Sequence, residues 1–317
     1  MPLNEEMKKL LEQRGISGIS DPPGKIKIYV ENESDLLKLP QEINIAGVSV
    51  PVQGIVSGRF LALQLDRKSM LRPAPGGCSI GHYQITAGTL GSRVFDSMTR
   101  KRLILSNNHV LGNSNLGKIG DPIYQPGSVD GGMSSSTIAT LERFVTIIPE
   151  ENLVDAALAN PLNDADLSDE ILDIGIVTNV KECSVGQTVA KSGRTSGYSE
   201  GGITDIYATI KVYGYPFPDE YAIFKDQVIV SPAIGQPGDS GSLVVDADDK
   251  SSAVGLLFAG SDTLTAVNKI TNVCNLLNID FSSALPPSPP ASRSNIMIAA
   301  LPFIFAVPAF LFKPKKR

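Results

Sequence analysis

The 317-residue sequence contains no tryptophan, only two histidines and only three cysteines. Cys78, Cys183 and Cys274 lie far apart without a Cys-x-x-Cys spacing, which excludes a dense disulfide framework and indicates no zinc site. At most one bridge can form, and we expect three buried thiols. Charged residues make up 19% of the chain, the net charge is -5 and no basic stripe runs through its body, which excludes nucleic acid as a partner.

The residues that are abundant indicate a strand-rich, turn-rich protein. Apolar residues make up 42% of the chain, and 29 glycines and 22 prolines punctuate it. From Gly76 onward, short apolar segments alternate with Gly, Pro and Asn at the spacing typical of a β-sandwich or β-barrel. The prediction for residues 1–70 is an extension with a short amphipathic helix and several strands. Residues 71–284 form the predicted main domain.

The C-terminal region has the pattern of a membrane anchor. A Pro/Ser linker at 285–295 precedes seventeen apolar residues, 296–312. A basic tail, KPKKR, follows them, and the predicted anchor with this tail is the segment 296–317. Seventeen helical residues extend about 26 Å, the lower limit for crossing a bilayer, and Pro302 and Pro308 would kink them. The prediction is a single-pass membrane protein, with a buried C-terminal element as the alternative.

The side of the membrane stays open in the sequence. The basic tail favours the cytoplasmic side for the C-terminus and therefore an external main domain. The absence of a secretory signal from the first residues, MPLNEEMKKLLEQRG, and the odd number of cysteines favour an internal one.

The segment SPAIGQPGDSGSLVV, residues 231–245, places Ser240 in a glycine-rich turn. A nucleophilic serine requires a base and a group that orients the base. His109 ends an apolar strand in LILSNNHVL, and Asp155 lies inside the apolar run NLVDAALA, where a carboxylate needs a partner. The order His109, Asp155, Ser240 differs from the Ser, acid, His order of the α/β-hydrolases.

Two other patterns are rejected. GNSNLGKI, residues 112–119, resembles a phosphate-binding loop, but Ile119 stands where a Ser or Thr is required. Asp130 in PGSVDGG competes for the role of the acid but lacks the apolar strand context of Asp155.

Over residues 76–280 the sequence resembles the trypsin/chymotrypsin-like serine peptidases of the PA clan, in their bacterial or archaeal style. The resemblance rests on GDSGS around Ser240, LSNNHVL around His109, DAALA beginning at Asp155 and KSGRTSGYSEGGI at 191–203. The two asparagines and a missing cysteine depart from the family's histidine segment. The resemblance implies two antiparallel six-stranded β-barrels and a His109, Asp155, Ser240 triad.

The same resemblance implies further residue roles. The amides of Gly238 and Ser240 would form an oxyanion hole, and Arg194 would pair with Asp239. Ile234 would form the floor of the primary specificity pocket, and Phe258, Ala259 and Gly260 would line its wall.

The implied activity is that of a serine endopeptidase that cleaves protein or peptide substrates through an acyl-enzyme, without a metal or cofactor. The alternative is an inactive, membrane-tethered descendant that binds peptides without cleaving them. The oligomeric state stays open.

Overall fold

The computed structural model describes residues 5–45, 47–58, 60 and 65–282 of the chain. It divides the chain into two compact units, Met1–Asp66 and Arg67–Arg317. The first unit therefore ends slightly before residue 70, where the sequence analysis placed the end of the extension.

The predicted linker at 285–295 and the predicted anchor at 296–317 lie outside the described residues, so both stay predictions. Within the ranges that the structure does describe, no helix combines the length and apolarity needed to cross a bilayer. The three cysteines are unbridged, and only Cys78 is buried, whereas Cys183 and Cys274 are partly exposed. Burial raises the pKa of the Cys78 thiol to about 12, so this thiol stays protonated and serves in packing.

The first unit is a four-stranded sheet with two short helices. Its elements are α1 (Glu5–Leu11), β1 (Ile16–Ser20), β2 (Ile26–Val30), α2 (Glu33–Leu36), β3 (Glu42–Ile45) and β4 (Val48–Val56). The strand order is β1-β2-β4-β3, with β2 and β4 parallel and the outer pairs antiparallel. Alternate residues of β2, namely Ile26, Ile28 and Val30, are buried with Met7 of α1, as the alternation in the sequence predicts.

The second unit begins with a closed barrel. Its first elements are β5 (Ala74–Gly76), β6 (Ser79–His82), β7 (Gly88–Thr89), β8 (Ser92–Asp96), β9 (Arg102–Ser106), α3 (Asn108–Leu111), β10 (Pro122–Tyr124), β11 (Thr137–Phe144) and β12 (Ala157–Pro161). Strands β7 and β8 form one bent strand, because Leu90 and Gly91 continue its pairing with β6 on one side and β9 on the other. The antiparallel order β6-β7/β8-β9-β12-β11-β10 then closes on β6.

A second barrel follows. The remaining strands and helix are β13 (Leu167–Ile171), β14 (Gly175–Ile176), β15 (Asn179–Val180), β16 (Thr188–Gly193), β17 (Gly197–Tyr213), β18 (Tyr221–Ser231), β19 (Leu243–Asp246), β20 (Ser252–Gly260), β21 (Thr265–Lys269), α4 (Ile270–Leu277) and β22 (Ile279–Asp280). The antiparallel order β16-β17-β18-β21-β20-β19 closes on β16. The predicted pair of six-stranded barrels is confirmed.

The minor elements complete the second unit. Strand β13 pairs with β14 and, in parallel, with β5, and β15 runs parallel to β20. After α4, the chain returns to the first barrel, where β22 pairs with β8. Single turns of 3-10 helix lie at Ser128–Asp130, Ser134–Ser136 and Asp164–Asp166.

Two central strands are apolar on both faces because each barrel packs against the other. Successive side chains of a strand point to opposite faces. In β9, Ile104 belongs to the core of the first barrel, while Leu103 and Leu105 belong to a cluster between the barrels. In β19, Leu243 and Val245 belong to that same cluster. The unbroken apolar runs of these strands follow from this double burial.

The barrels meet at backbone distance beside the candidate nucleophile. The Thr89 amide donates to the Ser240 carbonyl at 2.8 Å, and the Ser106 hydroxyl donates to the Thr89 carbonyl at 2.7 Å. A methyl group on Gly91 would lie 2.4 Å from the Gly241 carbonyl oxygen. Only glycine at position 91 allows this approach.

We therefore expect Gly91→Ala to destabilise the second unit by about 1 to 3 kcal/mol, since the backbone must shift to admit the methyl group. Gly202→Ala is the control, because its methyl group would have its nearest neighbour, the Ser231 carbonyl oxygen, at 3.7 Å. The control should change the free energy of unfolding by less than about 0.5 kcal/mol. Urea unfolding followed by circular dichroism measures both, and equal stability of the two variants would contradict the packing argument.

Candidate active site

His109 lies in the short helix α3, directly after β9. The two residues before it, Asn107 and Asn108, stabilise this turn with side-chain hydrogen bonds. They are the asparagines by which the sequence departs from the histidine segment of the trypsin-like peptidases. Asn107 Nδ2 donates to the Asp155 carbonyl at 2.7 Å, and Asn108 Nδ2 donates to the Val145 carbonyl at 2.8 Å. The His109 side chain is 27% exposed, so its ring lies at the surface of a cleft on a fixed backbone.

Asp155 is fully buried just before β12, and its carboxylate receives three hydrogen bonds. Its Oδ2 lies 2.5 Å from His109 Nδ1 and 2.5 Å from the Tyr215 hydroxyl, and its Oδ1 accepts from the His109 amide at 3.1 Å. Burial alone would raise the pKa of Asp155, but the charge of His109 and these hydrogen bonds outweigh it and hold the pKa below its usual value. The acid is therefore ionised and oriented toward the histidine.

Sequence reasoning missed Tyr215. This residue follows β17 in the connection to β18, and it is almost fully buried, with its ring packed on Phe224 at 5.6 Å between centroids. Burial and the nearby Asp155 charge raise the pKa of its phenol well above the ordinary value, so it stays a neutral donor. Nothing in YGYPFPDEY, residues 213–221, marks the second tyrosine, Tyr215, as a partner of the acid.

The turn that carries Ser240 contains two glycines in the left-handed region, Gly238 at φ +97° and Gly241 at φ +92°. The amides of Asp239, Gly241 and Ser242 donate to carbonyl oxygens of this turn or of β20. Within the described part of the chain, the amides of Gly238 and Ser240 donate to no acceptor. These two amides are the pair that the sequence analysis assigned to an oxyanion hole, and that assignment stays a prediction.

The segment that carries His109 packs against the turn of Ser240, with Gly88 of β7 between them. A methyl group on Gly88 would lie 2.4 Å from Val110 Cγ2, next to His109, and 3.0 Å from the Ser240 carbonyl oxygen. The His109 Nδ1 atom is used toward Asp155, so Nε2 is the ring nitrogen for a reacting proton. The Ser240 hydroxyl has no hydrogen-bond partner among the residues that the structure describes.

Adjacent cavities surround these residues. One of 220 Å³ is lined by Ser240 and by Leu257, Ala259 and Gly260 of β20. Another of 280 Å³ is lined by His109, Tyr215 and Phe258. Consecutive residues of β20 therefore line both the cavity of His109 and the cavity of Ser240.

Three of the four predicted pocket residues line cavities. Phe258, Ala259 and Gly260 together line a cavity of 470 Å³. Ala259 and Gly260 also line the cavity of Ser240, and Phe258 also lines the cavity of His109. Ile234 is 2% exposed in the core of the second barrel and lines none of these three cavities, so its role as the pocket floor stays a prediction. Leu257 of β20, which belongs to the same core cluster and is 3% exposed, lines the cavity of Ser240.

The predicted ion pair between Arg194 and Asp239 does not form. Arg194 makes a bidentate pair with Asp130, with Nε to Oδ2 at 2.5 Å and Nη2 to Oδ1 at 2.6 Å. Asp239 instead pairs with Lys191, whose Nζ lies 3.1 Å from Oδ2, and both side chains are completely buried. Lys191 points from β16 into the barrel, where a compact ammonium fits, while the guanidinium of Arg194 reaches the first barrel.

Asp239 has several further donors besides Lys191. Its carboxylate accepts from the amides of Thr195 at 2.7 Å, Ser196 at 3.1 Å and Gln236 at 2.9 Å, and from the Ser196 hydroxyl at 2.5 Å. Burial alone would raise the pKa of Asp239, but Lys191 and these hydrogen bonds lower it. The residue before the candidate nucleophile is thus an ionised anchor of the turn.

No group of three or more His, Cys, Asp and Glu side chains with the arrangement of a metal site occurs among the residues that the structure describes.

Comparisons with known proteins give structural neighbours only. No family model matches the sequence, and no curated protein matches it. A Nocardiopsis protease is 17% identical, with a TM-score of 0.49, over 66% of this chain and 98% of that one. Thermobifida fusca protease A is 16% identical, with a TM-score of 0.48, over 66% and 98%. An alpha-lytic protease homologue, N4, is 19% identical, with a TM-score of 0.48, over 65% and 98%.

The buried pair of Lys191 and Asp239 leads to a stability prediction. Lys191→Met leaves a carboxylate buried without its counter-charge, which should cost about 3 to 5 kcal/mol in the free energy of unfolding. Lys225→Met is the control, since the pair of Lys225 with Glu151 is half exposed and contributes less than about 1 kcal/mol. Urea unfolding decides between them. A Lys191→Met variant no less stable than the control would contradict the assignment of this pair.

Proposed function

We propose that the chain is a serine endopeptidase in which Ser240 is the nucleophile, His109 the base and Asp155 the residue that orients the base. The observation that carries the proposal is the buried, ionised Asp155 on His109 Nδ1, with the histidine segment packed against the turn of Ser240 across Gly88. The two unpaired amides of that turn within the described residues supply donors for a developing oxyanion.

In the proposed reaction, the Ser240 oxygen attacks a peptide carbonyl while His109 Nε2 takes the hydroxyl proton. The carbonyl π electrons move to its oxygen, and the amides of Gly238 and Ser240 donate to the resulting oxyanion. Collapse of this intermediate breaks the C–N bond, and His109 returns the proton to the leaving amine. Water then attacks the acyl-enzyme in the same way and frees Ser240. Asp155 holds the histidine tautomer throughout.

We expect Ser240→Ala to abolish peptide hydrolysis and labelling by a fluorophosphonate probe while leaving the melting temperature unchanged. His109→Ala should do nearly as much, and the double variant should be scarcely worse, because residues that act as a unit are not additive. Asp155→Asn should lower the rate about 10⁴-fold by favouring the wrong histidine tautomer.

The control for these variants is Ser135→Ala, which removes an exposed hydroxyl from a 3-10 turn and should keep both labelling and turnover. Full activity of Ser240→Ala would refute the assignment of the nucleophile. A folded wild-type protein that binds peptides but neither cleaves nor labels would favour the tethered binding module instead.

We further propose a preference for apolar residues before the scissile bond. The cavity beside Ser240 is lined by the apolar side chains of Pro237, Leu257 and Ala259 and by the uncharged polar side chains of Gln236 and Ser261. A Lys or Arg buried there would lose hydration without a buried counter-charge. Asp262 also lines this cavity, but it is exposed, so water weakens its attraction for a cation.

A peptide library should therefore give about tenfold or higher kcat/KM for Leu than for Lys at the residue before the scissile bond. Asp262→Asn is the discriminating variant and should leave this ratio within about a factor of three. A wild-type profile dominated by Lys and Arg that disappears in Asp262→Asn would show instead that the exposed carboxylate sets specificity.

A further inference from the structure

The peptide group between Pro237 and Gly238 is held from one side. The Thr195 hydroxyl donates to the Pro237 carbonyl oxygen at 2.9 Å. This peptide bond is trans, so its carbonyl and its N–H point in opposite directions. A hydrogen bond that fixes the carbonyl toward Thr195 therefore turns the Gly238 N–H away from Thr195.

The direction of the Thr195 proton is set by its other neighbour. Arg194 Nη1 lies 3.1 Å from Thr195 Oγ1, and a guanidinium group can only donate. Oγ1 therefore accepts from Arg194, and its own proton goes to Pro237. A valine at position 195 would keep the shape of the side chain and lose this bond.

Arg194 is in turn fixed by the first barrel. Asp130 binds it through both carboxylate oxygens, and the same carboxylate accepts from the Ser79 hydroxyl of β6 at 2.6 Å. A methyl group on Gly238 would lie 2.5 Å from both Arg194 Nη1 and Thr195 Oγ1. The two side chains thus lie directly against the backbone of Gly238.

We propose that Thr195, oriented by Arg194 and Asp130, is a positioning residue that keeps the Gly238 amide available to the substrate oxyanion. This inference rests on the proposed function, which uses that amide as a donor. Glycine rotates readily between conformations. The Thr89 hydroxyl donates to the Gly238 carbonyl at 2.9 Å, but this bond holds the peptide group after Gly238 and not the one that carries its N–H. When the Thr195 hydroxyl is removed, the Gly238 N–H points toward the substrate oxyanion for a smaller fraction of the time.

The expected effect falls on the transition state, where the oxyanion forms, and not on ground-state binding. Loss of one oxyanion-hole donor costs about 10²- to 10³-fold in kcat, and misalignment should cost less. We therefore expect Thr195→Val to lower kcat about 10- to 100-fold with KM unchanged within about twofold. Thr195→Ser, which retains the hydroxyl, should restore kcat to within about threefold of wild type.

The test measures kcat and KM on a peptide ester for the full-length wild type, Thr195→Val and Thr195→Ser, together with the inhibition constant of a peptide aldehyde. The aldehyde carbon forms a bond with the Ser240 oxygen, and its carbonyl oxygen becomes the oxyanion. Its inhibition constant should weaken in Thr195→Val by the same factor as kcat/KM. Equal melting temperatures of the two variants exclude a general loss of structure.

Each outcome has a separate meaning. Equal kcat values for Thr195→Val and Thr195→Ser, with an active wild type, would overturn the role of Thr195 and leave the proposed function intact. A rise in KM without a fall in kcat would also overturn it, because that pattern indicates substrate binding. A wild type that neither turns over the ester nor reacts with the fluorophosphonate would overturn the proposed function and this inference together.

Discussion

The candidate site depends on one contact, the backbone approach of the first barrel to the turn of Ser240. The hydrogen bond from the Thr89 amide to the Ser240 carbonyl fixes the nucleophile turn to a strand of the other barrel. Glycines at 88, 91 and 241 make the approach possible, since a methyl group at any of them would meet backbone or a buried side chain within 2.5 Å. His109 and Asp155 come from the first barrel and Ser240 from the second, so the proposed catalysis requires this contact.

Two ion pairs, in different places, stabilise the turn that carries the candidate nucleophile Ser240. The buried pair of Lys191 and Asp239 lies within the second barrel and holds the residue before Ser240. The pair of Arg194 and Asp130 connects the barrels and contacts Gly238. Because a planar guanidinium binds a carboxylate through two bonds, arginine suits the partly exposed link between barrels. The compact ammonium of lysine suits the closed interior.

Much of the fold was predictable because both barrels are built from apolar strands separated by Gly, Pro and Asn. The chain order of the candidate residues His109, Asp155 and Ser240 set the sequence apart from the α/β-hydrolases. Other details depend on where a side chain points, which spacing does not encode. Lys191 and Arg194 are three residues apart, and only strand register decides which one enters the barrel beside Asp239. Ile234 and Leu257 likewise belong to the same core cluster, yet of the two only Leu257 lines the cavity of Ser240.

Tyr215 is the clearest example of a residue that sequence could not supply, and it also explains how the acid keeps its charge. The three groups around the Asp155 carboxylate, namely the Tyr215 hydroxyl, His109 Nδ1 and the His109 amide, all point hydrogens at it. A protonated carboxyl would have to direct its own hydrogen at one of these donors and lose that bond. The surroundings therefore favour the ionised form despite complete burial. An ionised Asp155 in turn favours the histidine tautomer with hydrogen on Nδ1, which leaves Nε2 as the acceptor that a serine nucleophile needs.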